Sequence, residues 1–563
     1  MTQLKLFFNH VKGVLSKSGV IGAFIGLFFF LIVFDTTILY PKNIWWLLDP
    51  KNQDGIQHFV GWEFFRFETW HFPWGSIKNY GYPQTTSIVY TDSIPLLALF
   101  FKFFASSLPV YFQYFGFWYL LCFMLQGSMA CLIIKQLQPD CHVFNRLLIV
   151  VLFLLSPIML DRMVAHHSLT AHGLILFAFY LYLRPNANYL WLVLNVIAIL
   201  THAYLAVMVF AIYVSYLVKQ IWFEKSLNYS VALSFLLLNA VVVYLFAWLI
   251  GYFVLPFSSM KDVGSYPFYA MNLLAPFKAT QGSMLVLGHW SKFLNYFQPP
   301  QWGQAIEGFN YLGLGIIVLV IIALILILKQ RISKKSSLLF LPLALTCWIL
   351  TIFAISNEIY FKDWHLLSYK PVSFLILFTH VFRASGRFFW PMYYFIMMIT
   401  IAILLKRMPK KLLSIVLTGA IVLQGLDLSE KIANINLAFS ISAKPDLIGN
   451  LLDSQQVAQR YHHLLFLPIV INPAFSIRGF GSYIHYAACH NMTVNLGYFA
   501  RSNHDYKNFI LTRKLQADAL KGKLDKDTIY ILLDKYRTMA LINRNAKMAA
   551  IIRNDKYNLL LPS

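Results

Sequence analysis

The chain has 563 residues, 59% of them hydrophobic and only 12% charged, with a mean hydropathy of +0.61. A water-soluble protein of this size could not hide that much apolar surface, and several stretches of at least about 18 apolar residues predict a polytopic α-helical membrane protein. The formal charge of +23 would suit nucleic acid. However, Lys and Arg gather in short clusters at the ends of apolar runs, as in residues 329–335 and 406–411. That pattern signals topology and contact with anionic membrane lipids, and it argues against a nucleic-acid partner.

In chain order, Lys5, Lys12 and Lys17 precede an apolar run over about 20–40, read as a retained first span with a cytoplasmic N-terminus. Residues 49–92 then fall on the far side. They mix Trp, Phe and Tyr with acids, bases and histidines, as suits a segment lying at a membrane surface. Residues 93–107, SIPLLALFFKFFASS, predict an interfacial helix. Further spans are expected over about 111–134, 147–160, 169–183, 189–200, 203–218, 231–255, 312–328, 338–355, 388–405 and 412–426. This makes about eleven spans, with outer loops at 41–110 and 256–308 and an outer re-entrant or interfacial piece at 371–387.

The membrane domain is thus placed at 1–429 and a soluble, periplasmic α/β domain at 430–563. In that domain, strand-like runs at 463–470, 492–498, 528–533 and 557–561 alternate with helical stretches at 515–521 and 537–549. Five cysteines (122, 131, 141, 347 and 489) show no paired spacing, so neither a disulfide framework nor a cysteine-based metal site is indicated.

Several residues could carry chemistry. Asp54 follows the first span and precedes Gly55. Among rings that exclude water it could act as a base toward a hydroxyl, or it could simply cap a helix. His58, Arg66 and Asp92 share its loop, and Asp92 also reads as a cap for the interfacial helix. Arg383 and Arg387, in FRASGRFF, set two guanidiniums beside small residues, a composition suited to phosphate oxygens. Asp161 and His166, with Arg162, His167 and His172 nearby, read as polar groups lining a cavity, because no tight metal-ligand spacing occurs. His202 stands at a break between two apolar runs. Glu307, in EGFNYLGLG, reads as a cap or as a partner for the arginines.

A first span, a long outer loop with an acid near its start and an interfacial Pro-Leu helix before the second span together resemble the GT-C membrane glycosyltransferases. The segments DGIQHFVGWEFFR, GYPQTTSIVYTDSIPL, EGFNYLGLG and FRASGRFFWP also resemble a family of uncharacterised bacterial inner-membrane proteins placed near that superfamily. The resemblance implies inverting transfer of a sugar from a polyprenyl-phosphate-type lipid donor to a glycan, lipid or protein acceptor of the cell envelope, on the periplasmic side. Asp54 would then be the general base, with Arg383 and Arg387 on the leaving phosphate. Relatives that use a metal hold it with an acid pair; here Arg162 stands beside Asp161 instead, which leaves a divalent ion (Mg or Mn) an open expectation. The competing expectations are a transporter or flippase of a lipid-linked saccharide and a non-catalytic membrane scaffold.

Overall fold

A computed structural model of the chain describes residues 16–49, 52–255, 266–283, 286–329, 334–440, 459–467, 473–501, 513–519, 521, 523–532, 550–553 and 558–561. The protein is mostly helical. Among the described residues, six helices are long and apolar enough to cross a membrane: Phe115–Leu137, Ala203–Phe223, Tyr229–Leu249, Leu338–Ile355, Ser385–Arg407 and Lys410–Ser440. A seventh arises if Val143–Leu154 and Pro157–Val164, bent by 43° at their junction, form one span. Pro157 explains the bend, since it lacks an N–H for the preceding turn.

Shorter apolar helices cover Lys17–Val33, Asn188–Thr201 and Leu314–Lys329, and Gly173–Tyr182 is a helix as well. Each of the eleven predicted apolar stretches therefore falls on helix. On Tyr229–Leu249 the residues Leu233, Leu237, Val241 and Tyr244 are exposed on successive turns, a face suited to lipid rather than water.

The chain divides into two compact units. The first comprises residues 1–40, 115–246 and 262–440. Its helices Lys17–Val33, Phe115–Leu137 and Lys410–Ser440 meet through Phe34, whose ring lies 5.3 Å from Tyr119 and 5.1 Å from Phe439. An antiparallel hairpin, Glu358–Phe361 with Trp364–Ser368, follows the helix Leu338–Ile355. The predicted re-entrant piece contains the helix Ser373–Val381 and a 3₁₀ turn, Ser385–Phe389.

The second unit comprises residues 41–114, 247–261 and 441–563, so the first long loop belongs with the C-terminal region. Among the described residues its larger sheet has five strands, in the order Thr493–Val494, His463–Leu467, Thr528–Leu532, Asn558–Leu561, Ala550–Arg553. The first three run parallel and the last two pair antiparallel. Loop residues extend the edge of this sheet: Val494 N–H donates to Asn79 O at 2.9 Å, while Gly81 and Tyr82 N–H donate to Val494 O at 2.9 and 2.7 Å.

The predicted interfacial helix is Pro95–Lys102, and it leaves Phe100, Phe103 and Phe104 exposed. Its N-cap is Ile94 rather than Asp92, and no side chain caps it. The chain turns here through left-handed conformations at both Asp92 (φ 53°) and Ile94 (φ 54°), so Asp92 stands too far back to cap. In the C-terminal region, helix Pro473–Cys489 and strand Ala550–Arg553 add to the predicted elements. The predicted helix at 515–521 is found at 513–519, and that at 537–549 lies outside the described residues.

Candidate functional site

In the first unit, one carboxylate gathers basic groups from two distant segments. Glu307, at the C-cap of the short helix Trp302–Ile306, accepts from Arg162 Nη1 at 2.8 Å and from Arg387 Nε and Nη2 at 2.7 and 2.9 Å. His166 Nε2 lies 3.0 Å from its other oxygen. Arg162 also donates to Asp161 Oδ2 at 2.6 Å and to Ile306 O at 3.0 Å. Asp161, Arg162, Glu307 and Arg387 are all buried, while His166 is half-buried.

The local chain explains how these groups reach each other. Asp161 and Arg162 ride on Pro157–Ala165, the helix beyond the proline bend. Asp161 Oδ1 accepts from Ser283 N–H at 2.7 Å, and this needs glycine at position 282: its φ is +65°, and a Cβ there would stand 2.5 Å from Asp161 Oδ1. A Cβ on Gly386 would lie 2.8 Å from Gly308 Cα, so two glycines let the Glu307 and Arg387 backbones come together. Asn310 Nδ2 fixes that approach by donating to Gly386 O at 3.0 Å.

Burial alone would raise the Glu307 carboxyl, but the Arg162 and Arg387 guanidiniums outweigh it and hold the group well below the ordinary carboxylate range. The carboxylate therefore stays charged and fixes both guanidiniums in place. Arg387 also lies over the Tyr204 ring, 4.8 Å from its centroid, and Tyr204 OH accepts from Ala384 N–H at 2.9 Å.

Of the residues singled out from sequence, Asp161, His166, Glu307 and Arg387 meet here. Arg383 does not pair with Arg387 on one helical face, because residues 382–387 run through loop and 3₁₀ turn. It is half-buried, 5.9 Å from the Tyr269 ring centroid. His202 is the N-cap of helix Ala203–Val218, with Nδ1 accepting from Tyr204 N–H at 3.1 Å.

The remaining residues belong to the second unit. Asp54 is half-buried in the first turn of helix Gln53–Phe67, where an acid suits the helix dipole, and Asn52 rather than Asp54 is the N-cap. His58 is fully buried on that helix, and its carbonyl accepts from Ser93 Oγ at 2.6 Å. Asp92 is half-buried in the turn that packs there. Arg66 donates to the carbonyls of Ala105, Leu108, Pro109 and Val110 at 2.8–3.3 Å, so it staples the end of the interfacial segment.

Sequence reasoning missed Tyr204, Asn310 and Gly282, and also a trio in the second unit: the buried Glu63 and His485 with the half-buried Cys489. EGFN and RASGR, each carrying a glycine beside a charge, were the available signal for the first cluster. Nothing local marked the second.

The family described as Domain of unknown function (DUF6311) matches residues 23–429, and the DUF6311 C-terminal domain matches residues 454–562. No curated protein and no solved structure matches the chain.

Proposed function

The chain belongs to the DUF6311 family, and from that premise we propose that it is a membrane glycosyltransferase of the GT-C plan. It moves a sugar from a polyprenyl-phosphate-type donor to a cell-envelope acceptor, with inversion at the anomeric carbon. The eleven apolar helices then span the bacterial inner membrane, with the N-terminus cytoplasmic and the C-terminal domain periplasmic. Asp54 takes the proton from the acceptor hydroxyl, the oxygen attacks the anomeric carbon, and the bond to the donor phosphate breaks on the opposite face.

The observation that carries this reading is the cluster on Glu307. Two guanidiniums and an imidazole are held ready around one acid, beside apolar helices, where negative charge developing on a leaving phosphate is stabilised by cations already in place. Arg383, half-buried and close by in sequence, serves the outer phosphate oxygens. Asp161 and Arg162 are engaged with each other, so a divalent ion (Mg or Mn) would have to be held by the substrate phosphate as well as by protein acids.

The test is Asp54→Asn in cells, read by glycan profiling against a deletion strain. Loss of the glycosylated product with normal membrane insertion is expected, and unchanged product removes the catalytic role. The 43° bend between Val143–Leu154 and Pro157–Val164 favours a second reading, a transporter or flippase of a lipid-linked saccharide, because broken helices line such sites. That reading predicts movement of the intact lipid-linked saccharide across proteoliposome membranes with no sugar transferred.

A further inference from the structure

We infer that Glu63, His485 and Cys489 bind a divalent transition ion of the zinc class within the unit that joins the first loop to the C-terminal region. Glu63 lies on helix Gln53–Phe67, and His485 and Cys489 stand one turn apart at the end of helix Pro473–Cys489. The i, i+4 spacing directs both toward the same side. The Glu63 carboxylate and His485 Nδ1 are in direct hydrogen-bond contact. Cys489 Sγ lies 3.8 Å from Nδ1 and 3.9 Å from Nε2 of His485, and one donor atom from each of the three residues lies within 4.8 Å of the others. Donors at zinc bond lengths of about 2.0–2.3 Å in a tetrahedron stand roughly 3.3–3.7 Å apart, so side-chain shifts of about an ångström close the site.

A second observation points the same way. Glu63 is fully buried, and its Oε1 has no hydrogen-bond partner among the described residues. A carboxylate oxygen in that position is costly unless it binds something. Arg66 is near, but both its Nη atoms are committed to the backbone carbonyls of the interfacial segment. The Phe59 and Tyr111 rings, 5.9 and 5.6 Å from the His485 ring, wall the trio. Cys489 is only half-buried, which gives an ion a way in.

Charge bookkeeping supports the assignment. Without an ion, Cys489 is a thiol, and Glu63 and His485 share the one proton of their hydrogen bond. A divalent ion displaces the thiol proton and the shared proton. Carboxylate, thiolate and neutral imidazole around a doubly charged ion then sum to zero, so the buried net charge is unchanged. Oxygen, nitrogen and sulfur donors together select zinc-like ions over Mg or Mn. The inference does not rest on glycosyl transfer.

Metal-stripped full-length protein in detergent should take up one equivalent of Co(II), with a thiolate-to-cobalt charge-transfer band in the near ultraviolet. Zn(II) should erase the band and excess Mg(II) should leave it. Two protons should be released per ion, so affinity rises with pH. Cys489→Ser should abolish the band, and Glu63→Gln and His485→Gln should each weaken Co(II) binding at least about tenfold. Absence of the band in the unaltered protein overturns the inference even if the variants express poorly. So does a band that survives in Cys489→Ser, since it would belong to another of the five cysteines.

Discussion

Replacing Glu307 by Gln keeps the side chain's shape and removes its charge. The structure shows what is lost: the carboxylate's ion pairs with Arg162 and Arg387 at 2.7–2.9 Å and its contact with His166 at 3.0 Å. Arg162 retains Asp161 and the Ile306 carbonyl, and Arg387 retains the Tyr204 face and a 3.5 Å approach to His166 Nε2. Removing the acid that both buried guanidiniums share should cost about 3–5 kcal/mol. Denaturant unfolding of the detergent-purified protein reads it directly. Adding Arg387→Met to Glu307→Gln should recover much of the loss, with a coupling of roughly 1–3 kcal/mol.

The pH dependence has a fixed sign. The folded-state carboxyl lies well below its ordinary value of 4.5, so its stabilisation is complete above that value and is lost only as pH falls through the lower, folded-state value. The unaltered protein and Glu307→Gln should therefore keep a constant gap from neutral pH to 4.5 and converge in stronger acid. A loss of less than about 1 kcal/mol, as at an exposed pair, or a gap that closes above pH 4.5, would refute the assignment of Glu307 as the anchor of this cluster.

Arg383→Gln should weaken donor binding about tenfold or more. Equal donor affinity in an equilibrium binding assay would discard its phosphate role. His202→Ala removes the cap of Ala203–Val218 and should cost about 0.5–2 kcal/mol in the same denaturant assay, without altering donor affinity. Gly282→Ala forces a Cβ into left-handed backbone and against Asp161 Oδ1, so it should cost about 1–3 kcal/mol; a neutral outcome would mean that this loop moves freely.

The helices were the legible part of this chain, because long apolar runs bounded by Lys and Arg announce themselves without tertiary information. The interfacial segment was legible too, since Pro95 sets its first turn and the Phe run gives it one apolar side. What could not be read was association between distant segments. The edge pairing of Asn79, Gly81 and Tyr82 with Val494 depends on backbone groups alone, which leave no mark in side-chain pattern. Glu307 and Arg387 were each visible as charges near glycines, but only the folded loop shows that Arg387 turns away from Arg383 and onto the acid. Cys489 looked solitary because cysteine spacing was compared with other cysteines. Its neighbours are a histidine one turn back and a glutamate in the first loop.

The make-up of the second unit sets an order of events during synthesis. Residues 41–114 emerge early, yet the strands and helix they pack with arrive only once translation has passed residue 441. Until then the side of Gln53–Phe67 that carries Glu63 lacks the helix Pro473–Cys489 and its His485. A ribosome stalled within the last helices of the first unit should thus carry a protease-sensitive first loop that becomes resistant when synthesis resumes.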